Sequence, residues 1–489
     1  MSSQLPDILK VGTLKSAENM EVKTEVLDPI SSSNSEIVFQ IPKNGILDGG
    51  SFVSLAVKQL VGGAGAFFPL KTGIHGLIKS VQLLSGSKVI ASNDDYAHYA
   101  TMVRQFETPE HRANVDMVKS GACMDRYNAN DTATGRLAPK DLNYTTKAAD
   151  NTARAVVPDM IKPTADDATT PVFCVPLSQL VPFMRSRQLP LFAMKENVYI
   201  RLILNQQTSI NDGTICAFTA GTTDNATNGT IVPSFVNIKF YSDHLYYTDD
   251  TMAKTQAQIF SQNGLTYLYE DMITTNAQIP ATANPGIGAV QEQKIERDLA
   301  VSGRTVRSIL VAEKNVGQNH TLLGQYLSTA LHTDTEYNFR INENRLYDRD
   351  VSRPSQQYNE LTQVFNKPLQ VPNQLFSFDA DTNKATADNQ LNQNSVYIGQ
   401  IEGHQLPDGA NAANLLTVGL RATSNYIGYD ATTSGFNVLG NGKKIGVKPV
   451  IIQKKLKRTN NNHVAREMRV FTMVERLITI RNGEVVVSA

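Results

Sequence analysis

The chain has no tryptophan and only three cysteines in 489 residues. Sugars usually stack on flat aromatic faces, so the missing tryptophan weighs against a carbohydrate-binding platform. Cys123, Cys174 and Cys216 are odd in number and widely spaced. They form no metal-ligand spacing and read as buried small hydrophobes or loop thiols of a reducing compartment. Neither charge is in excess: Lys plus Arg and Asp plus Glu are 46 each, and the formal net charge is zero. A protein that wraps nucleic acid is normally basic, so no sequence-specific nucleic-acid binding is expected. Low net charge also weakens repulsion between copies, which suits self-association. No run of 18 apolar residues occurs, and the first residues, MSSQLPDILKVGTLKSAENM, lack the basic start and apolar core of a signal peptide. The expectation is a chain that is cytosolic or nuclear at synthesis, with no membrane span.

Catalytic patterns are missing too. No Walker-type phosphate loop, His-Glu-x-x-His, Cys-x-x-Cys or Gly-x-Ser-x-Gly motif is present, and Gly62 to Gly65 lacks the lysine and helix start that phosphate cradling needs. The eight histidines, at 75, 98, 111, 244, 320, 332, 404 and 463, form no ligand pair on one clear element. His98 reads as a structural or surface residue on a helix, not as a base. The carboxylate pairs Asp94-Asp95, Asp166-Asp167 and Asp249-Asp250 read as helix caps or solvated loops. The one basic cluster, Lys454-Lys455-Leu456-Lys457-Arg458, ends a strand-like run and reads as a solvated rim ahead of a nuclear-import signal. No catalytic, cofactor-binding or metal-binding residue is assigned, and neither enzymatic activity nor a cofactor is expected.

What the chain does contain is repetition. Residues 80 to 106 and 337 to 365 each read as strand, polar turn, strand and amphipathic helix, with Tyr99, Met102 and Phe106 matching Tyr358, Leu361 and Phe365. Leu189-Pro190 followed by the strand Val198 to Leu204 is echoed by Leu406-Pro407 followed by Leu415 to Arg421. VNIKFYSDHL (236 to 245) is echoed by MRVFTMVERL (468 to 477). Three echoes in register along two halves argue for a duplicated β domain. Alternating runs such as Glu36 to Ile41, Phe52 to Leu60 and Thr305 to Glu313 are half-buried strands, and Arg481-Asn482-Gly483 is a hairpin turn. Further strands are predicted at 214 to 220, 396 to 401 and 415 to 422. One helix is predicted from about Asp94 to Phe106, capped by Asn93 or Asp94, another from Pro109 to about Lys119, and a third after Ser352-Arg353-Pro354.

The fold class that results is all-β: two tandem eight-stranded antiparallel jelly rolls, each with a short helix after an early hairpin, and long loops. The division is an N-terminal arm at 1–20, a first jelly roll at 21–248, a linker at 249–262 and a second jelly roll at 263–489. Residues 121–170, polar and rich in small side chains, form a long surface loop, and a second lies at about 379 to 394.

Gly73-Ile74-His75-Gly76-Leu77-Ile78-Lys79-Ser80-Val81-Gln82-Leu83, then Gly86 to Ile90 and Asp95-Tyr96-Ala97-His98-Tyr99, resembles the early hairpin and helix of virophage and polinton-like virus capsid proteins. With the tandem architecture, the chain is similar to the double jelly-roll major capsid proteins of double-stranded DNA viruses. The resemblance implies a homotrimer, a pseudo-hexagonal capsomer tiling an icosahedral virion shell, with neighbouring capsomers and minor and vertex (penton) proteins as partners. It also implies synthesis in the host cytoplasm, an N-terminal arm reaching the inner side or a neighbour, and long loops as outer towers or clasps. The rival reading is a carbohydrate-binding or glycoside-cleaving β-sandwich protein, which needs converging carboxylates and exposed aromatics in a groove.

Overall fold

In strand Val198–Leu204 every second side chain is buried and the others are half-buried, the period of a sheet with one face on a core. That rule builds most of the molecule. The computed structural model describes residues 20–61, 73–104, 117–120, 172–205, 232–247, 249–281, 290–315, 335–352, 354–364, 426–432, 439–459 and 465–488. The strands of the first half are β1 (Glu21–Leu27), β2 (Glu36–Ile41), β3 (Phe52–Val61), β4 (Ile78–Ser85), β5 (Lys88–Asn93), β6 (Val172–Pro176), β7 (Val198–Leu204) and β8 (Val232–Tyr246). Those of the second half are β9 (Leu265–Ile279), β10 (Val290–Asp298), β11 (Thr305–Asn315), β12 (Thr335–Ile341), β13 (Asn344–Arg345), β14 (Tyr426–Asp430), β15 (Val450–Thr459) and β16 (Arg466–Arg481), followed by β17 (Glu484–Ser488).

The two halves share one wiring. In the first, one sheet runs β1-β8-β3-β6 and the other β2-β7-β4-β5; in the second, the orders are β9-β16-β11-β14 and β10-β15-β12-β13. Each strand of the second half therefore takes the place of the strand eight before it, all pairings are antiparallel, and each pair of sheets is a jelly roll. Apolar side chains facing inward fill two separate cores, one around Phe39, Leu55, Val81, Ile200 and Phe240, the other around Ile309, Val311, Phe339, Ile452 and Val470.

Two of the three sequence echoes fall on topologically equivalent elements. The 80 to 106 and 337 to 365 segments supply β4-β5 and β12-β13 with their following helices, α1 (Tyr96–Arg104) and, later in the chain, Pro354–Val364. The 236 to 245 and 468 to 477 segments lie in β8 and β16. The third is corrected: the counterpart of β7 is β15, at Val450–Thr459, not 415 to 421. Sequence reading also missed β1 and β14, two of the sheet-edge strands, at Glu21–Leu27 and Tyr426–Asp430. β1 is exposed along most of its length, so it lacks the alternation that marks a covered strand. Asp95, not Asn93 or Asp94, immediately precedes α1, and of the 109 to 119 helix only the turn Met117–Ser120 is described. Strands expected at 214 to 220, 396 to 401 and 415 to 422, the loops 121–170 and 379 to 394, the arm before residue 20, Asp166-Asp167 and the Phe106 and Phe365 pair lie outside the described residues.

Between β6 and β7 lie two short helices, α2 (Leu177–Leu180) and α3 (Pro182–Ser186); α4 (Asp249–Ile259) joins the halves, and α5 is Pro354–Val364. Two residues of the basic cluster are not a solvated rim: Lys454 is 2% exposed on β15, and Lys455 pairs with Asp350 at 3.0 Å, while the side chains of 456–458 lie outside those described. Strand alternation turns Lys454 inward, whatever the charge of its neighbours.

Candidate functional site: the seam between the two sandwiches

Both faces of β16 carry buried apolar side chains. Met468, Val470 and Val474 point into the second core, while Phe471 and Met473 point the other way and are just as buried. A strand that is apolar on both sides must be covered on both sides. The cover is α1 of the first half. Ala97 and, one turn apart on the helix, Tyr99 and Met102 join Met272, Leu310, Ala312, Tyr426, Phe471 and Met473 in a third cluster that α5 closes with Leu361. The rings of Tyr99 and Phe471 stand 5.7 Å apart, tilted by 54°. On β14, Gly428 is where α5 comes close: an added Cβ would fall 2.8 Å from a Leu361 methyl and 3.0 Å from one of Val364.

The first core also crosses the boundary. Tyr269 of β9, Ile478 and Ile480 of β16 and Val485 of β17 belong to it. Tyr269 donates its hydroxyl to the Ile90 carbonyl at 2.7 Å and sets its ring edge-on to Phe183 at 4.9 Å. The Asn482-Gly483 turn, with both residues at positive φ, reverses β16 into β17. There Lys195 donates its backbone N–H to the Gly483 carbonyl at 2.8 Å, and Asn482 donates to Ile259 at 3.0 Å. The second sandwich thus lends its C-terminal hairpin to the core of the first.

Charges along the seam come in arginine–carboxylate pairs. Arg185 meets Glu270 at 2.5 Å, Arg476 meets Asp271 at 2.9 Å, Arg307 meets Glu475 at 3.6 Å, and Arg469 bonds Asp95. Two of these cross between halves, Arg185–Glu270 and Arg469–Asp95. The His98 Nδ1 lies 2.6 Å from Asp95 and 2.8 Å from the Arg469 guanidinium. A ring nitrogen cannot donate and accept at once, and the carboxylate is the stronger acceptor, so Nδ1–H donates to Asp95. Burial works against the Asp95 charge, but His98 and Arg469 outweigh it and hold the carboxyl far below its usual range. Asp271 goes the other way: burial dominates, Arg476 offsets it only in part, and the carboxyl is pushed up to about 6. Buried pairs of this kind add little net stability, yet removing one partner is costly, so they penalise any other docking of the two sandwiches.

This arrangement binds and orients; it does not present a reaction centre. The buried carboxylates are each neutralised by an arginine instead of facing one another across a cleft. Asp94 is exposed, and Asp249 and Asp250 sit in the first turn of α4, where Asp250 pairs with Lys254 at 2.5 Å. Cys174 is half-buried on β6. Among the described residues, no group of three His, Cys, Asp or Glu side chains could hold a metal, and no helix is long and apolar enough to cross a membrane. Sequence reading named none of Tyr269, Asp271, Arg469 or Arg476. The available signal was the comparison of repeats: outward Lys239, Tyr241 and Asp243 on β8 against Phe471, Met473 and Glu475 on β16.

No protein-family model matches the sequence, and no curated protein matches it. Solved structures do match, over nearly the whole chain. The PBCV-1 protein VP54, fitted into a reconstruction of the virophage Sputnik, has a TM-score of 0.54 at 12% identity, covering 96% of this chain and 97% of its own. A chain of the Sputnik virophage particle gives 0.52 at 13% identity, over 100% and 93%. The Faustovirus major capsid protein gives 0.50 at 10% identity, over 97% and 93%. The shared fold is the double jelly roll.

Proposed function

We propose that the chain is the major capsid protein of a double-stranded DNA virus, a structural protein without enzymatic activity, whose place is the virion shell. Three chains form a pseudo-hexagonal capsomer, and capsomers tile an icosahedral shell with minor and penton proteins at its special positions. The observation that carries this is the seam. Two sandwiches of one wiring are held side by side in a fixed relation by a dry apolar cluster and cross-boundary ion pairs. One chain thereby supplies two near-equivalent lobes, and three chains supply six, which fills a six-fold lattice site. The full-length likeness to a Faustovirus major capsid protein supports the same reading.

With this function the chain divides into an arm at 1–20, a first jelly roll at 21–248, a linker at 249–262 and a second jelly roll at 263–489, and the two long loops face outward or clasp neighbours. The test is direct. Purified protein viewed by negative-stain microscopy and sized by light scattering gives six-lobed discs of three chains, or closed shells. A monodisperse single-chain species at high protein concentration refutes the reading.

A further inference from the structure

The seam is a one-sided contact, and the duplication leaves its counterpart open. In the first sandwich the connection between β6 and β7 grips the second. Arg187 donates to the Leu268 carbonyl on β9 at 2.8 Å, and Lys195 reaches the turn after β16. In the second sandwich the described part of the equivalent connection, residues 439–449 between β14 and β15, bonds only to its own sandwich, through Lys443 and Lys444 beside Thr305 and Val306 and through Gly446 to Asn342. It carries Val447, 94% exposed and the most exposed of the large apolar side chains in the described residues. The equivalence has a local signature. In both halves the tip of the β4-β5 type of hairpin abuts this connection, through Gly86 and Asn197 in one and through Asn342 and Gly446 in the other.

The gripped side is also duplicated. Met272 on β9 stands opposite Met473, and Val26 on β1 stands opposite Tyr241, its match in the aligned strand. Met272 is 4% exposed under the seam, whereas Val26 is 54% exposed and Val22, four residues earlier on the same face, 52%. The uncovered β1 surface thus shows an apolar pair, extended by Met20 at 42%. Charge matches as well. The β1 edge carries Glu21 and Glu25, with Lys23 between them, on the face opposite Val22 and Val26, and Asp249 and Asp250 follow β8 at the start of α4, while Lys443, Lys444 and Lys448 lie within four residues of Val447. Among the described residues Glu21 pairs with Lys23 at 3.5 Å and Lys448 with Glu343 at 2.5 Å, both solvent-exposed contacts that association can exchange.

We propose that the contact made once within the chain is made again between chains. The β14–β15 connection of one copy, led by Val447, docks on the β1 edge of the first sandwich of another copy, around Val22 and Val26. This rests on the trimeric reading above and assigns its surface. The interface is head to tail, so it closes a ring when intrachain and interchain steps alternate three times.

The test uses the full chain with Cys123, Cys174 and Cys216 replaced by serine. The double variant Val22→Cys/Val447→Cys, treated with a short bismaleimide, gives covalent dimers and trimers on a denaturing gel, and either single variant gives none of the trimer. Independently, Val447→Asp shifts the light-scattering mass from three chains to one with its far-UV circular dichroism unchanged. If the parent is three chains but the double variant stays uncross-linked, the surface is wrong and the trimer stands. If the parent is a single chain, the trimeric reading itself falls.

Discussion

Phe471→Ala separates the stability of the seam from that of the sandwiches. Phe471 is fully buried, yet it lies outside both sandwich cores, facing Tyr99 of α1 across the boundary. Truncating a buried phenylalanine costs about 3–5 kcal/mol, and the lost ring pair with Tyr99 contributes about 0.5–1.5 kcal/mol of that order. The neighbouring Val470→Ala, one residue away but inside the second core, removes less volume and serves as the control. Because Tyr269, Ile480 and Val485 tie the second half to the first core, the wild-type chain melts as one cooperative unit in calorimetry. Phe471→Ala lowers the melting temperature by about 3–5 °C, because a cooperative unit of this length shifts by only about 1 °C per kcal/mol. It also broadens or splits the transition, while Val470→Ala lowers it without splitting. Two independent transitions in the wild type, or a cost below about 1 kcal/mol for Phe471→Ala, would refute the idea that the seam couples the halves.

Acidity acts on the seam with a definite sign. Asp271 has its folded-state value raised from 3.8 to about 6, so the fold takes up a proton that the unfolded chain does not, and stability rises as pH falls from about 6 towards 4. The burden at neutral pH is of order 3 kcal/mol. Asp95, lowered instead, stays charged in both states through that window and contributes its loss only in stronger acid. Denaturant midpoints measured from pH 7 to 4.5 therefore increase, and Asp271→Asn flattens this dependence; a midpoint that falls steadily in the wild type contradicts the assignment. Tyr269→Phe strands the Ile90 carbonyl at the boundary and costs about 1–3 kcal/mol by chemical denaturation, whereas no loss would mean that the 2.7 Å bond is dispensable. Gly483→Ala places a Cβ 2.9 Å from the Lys195 nitrogen on a backbone at φ +76°, so the C-terminal hairpin lifts from the first sandwich and β17 amides exchange faster with deuterium. Unchanged protection in β17 would show that the turn adapts.

Much of the fold was legible because the duplication and the period-two patterns are local properties of sequence. The β4-β5 and β12-β13 hairpins with their helices, the β8 and β16 match and the Asn482-Gly483 turn all declare themselves through alternation and turn chemistry. Two strands do not. β1 is exposed along most of its length, and β14 offers only the five residues Tyr426–Asp430 with a glycine at their centre, so neither carries an apolar rhythm of period two. The false match at 406 to 421 arose because a short dipeptide echo is weak beside topology, which placed β15 in the position of β7.

The sequence by itself determined that the chain is all-β, that it is written twice, and that it holds no catalytic or metal-binding motif. Each follows from composition and spacing. Only the tertiary structure decided which copy covers which: that α1 of the first half lies on the outer face of the second, that Arg469 and Asp95 meet across 374 positions of chain, and that Lys454 turns inward. These depend on how two finished sheets dock. Docking joins residues through space, where one buried face selects its partner by shape and charge, and no local rhythm in the chain records that choice.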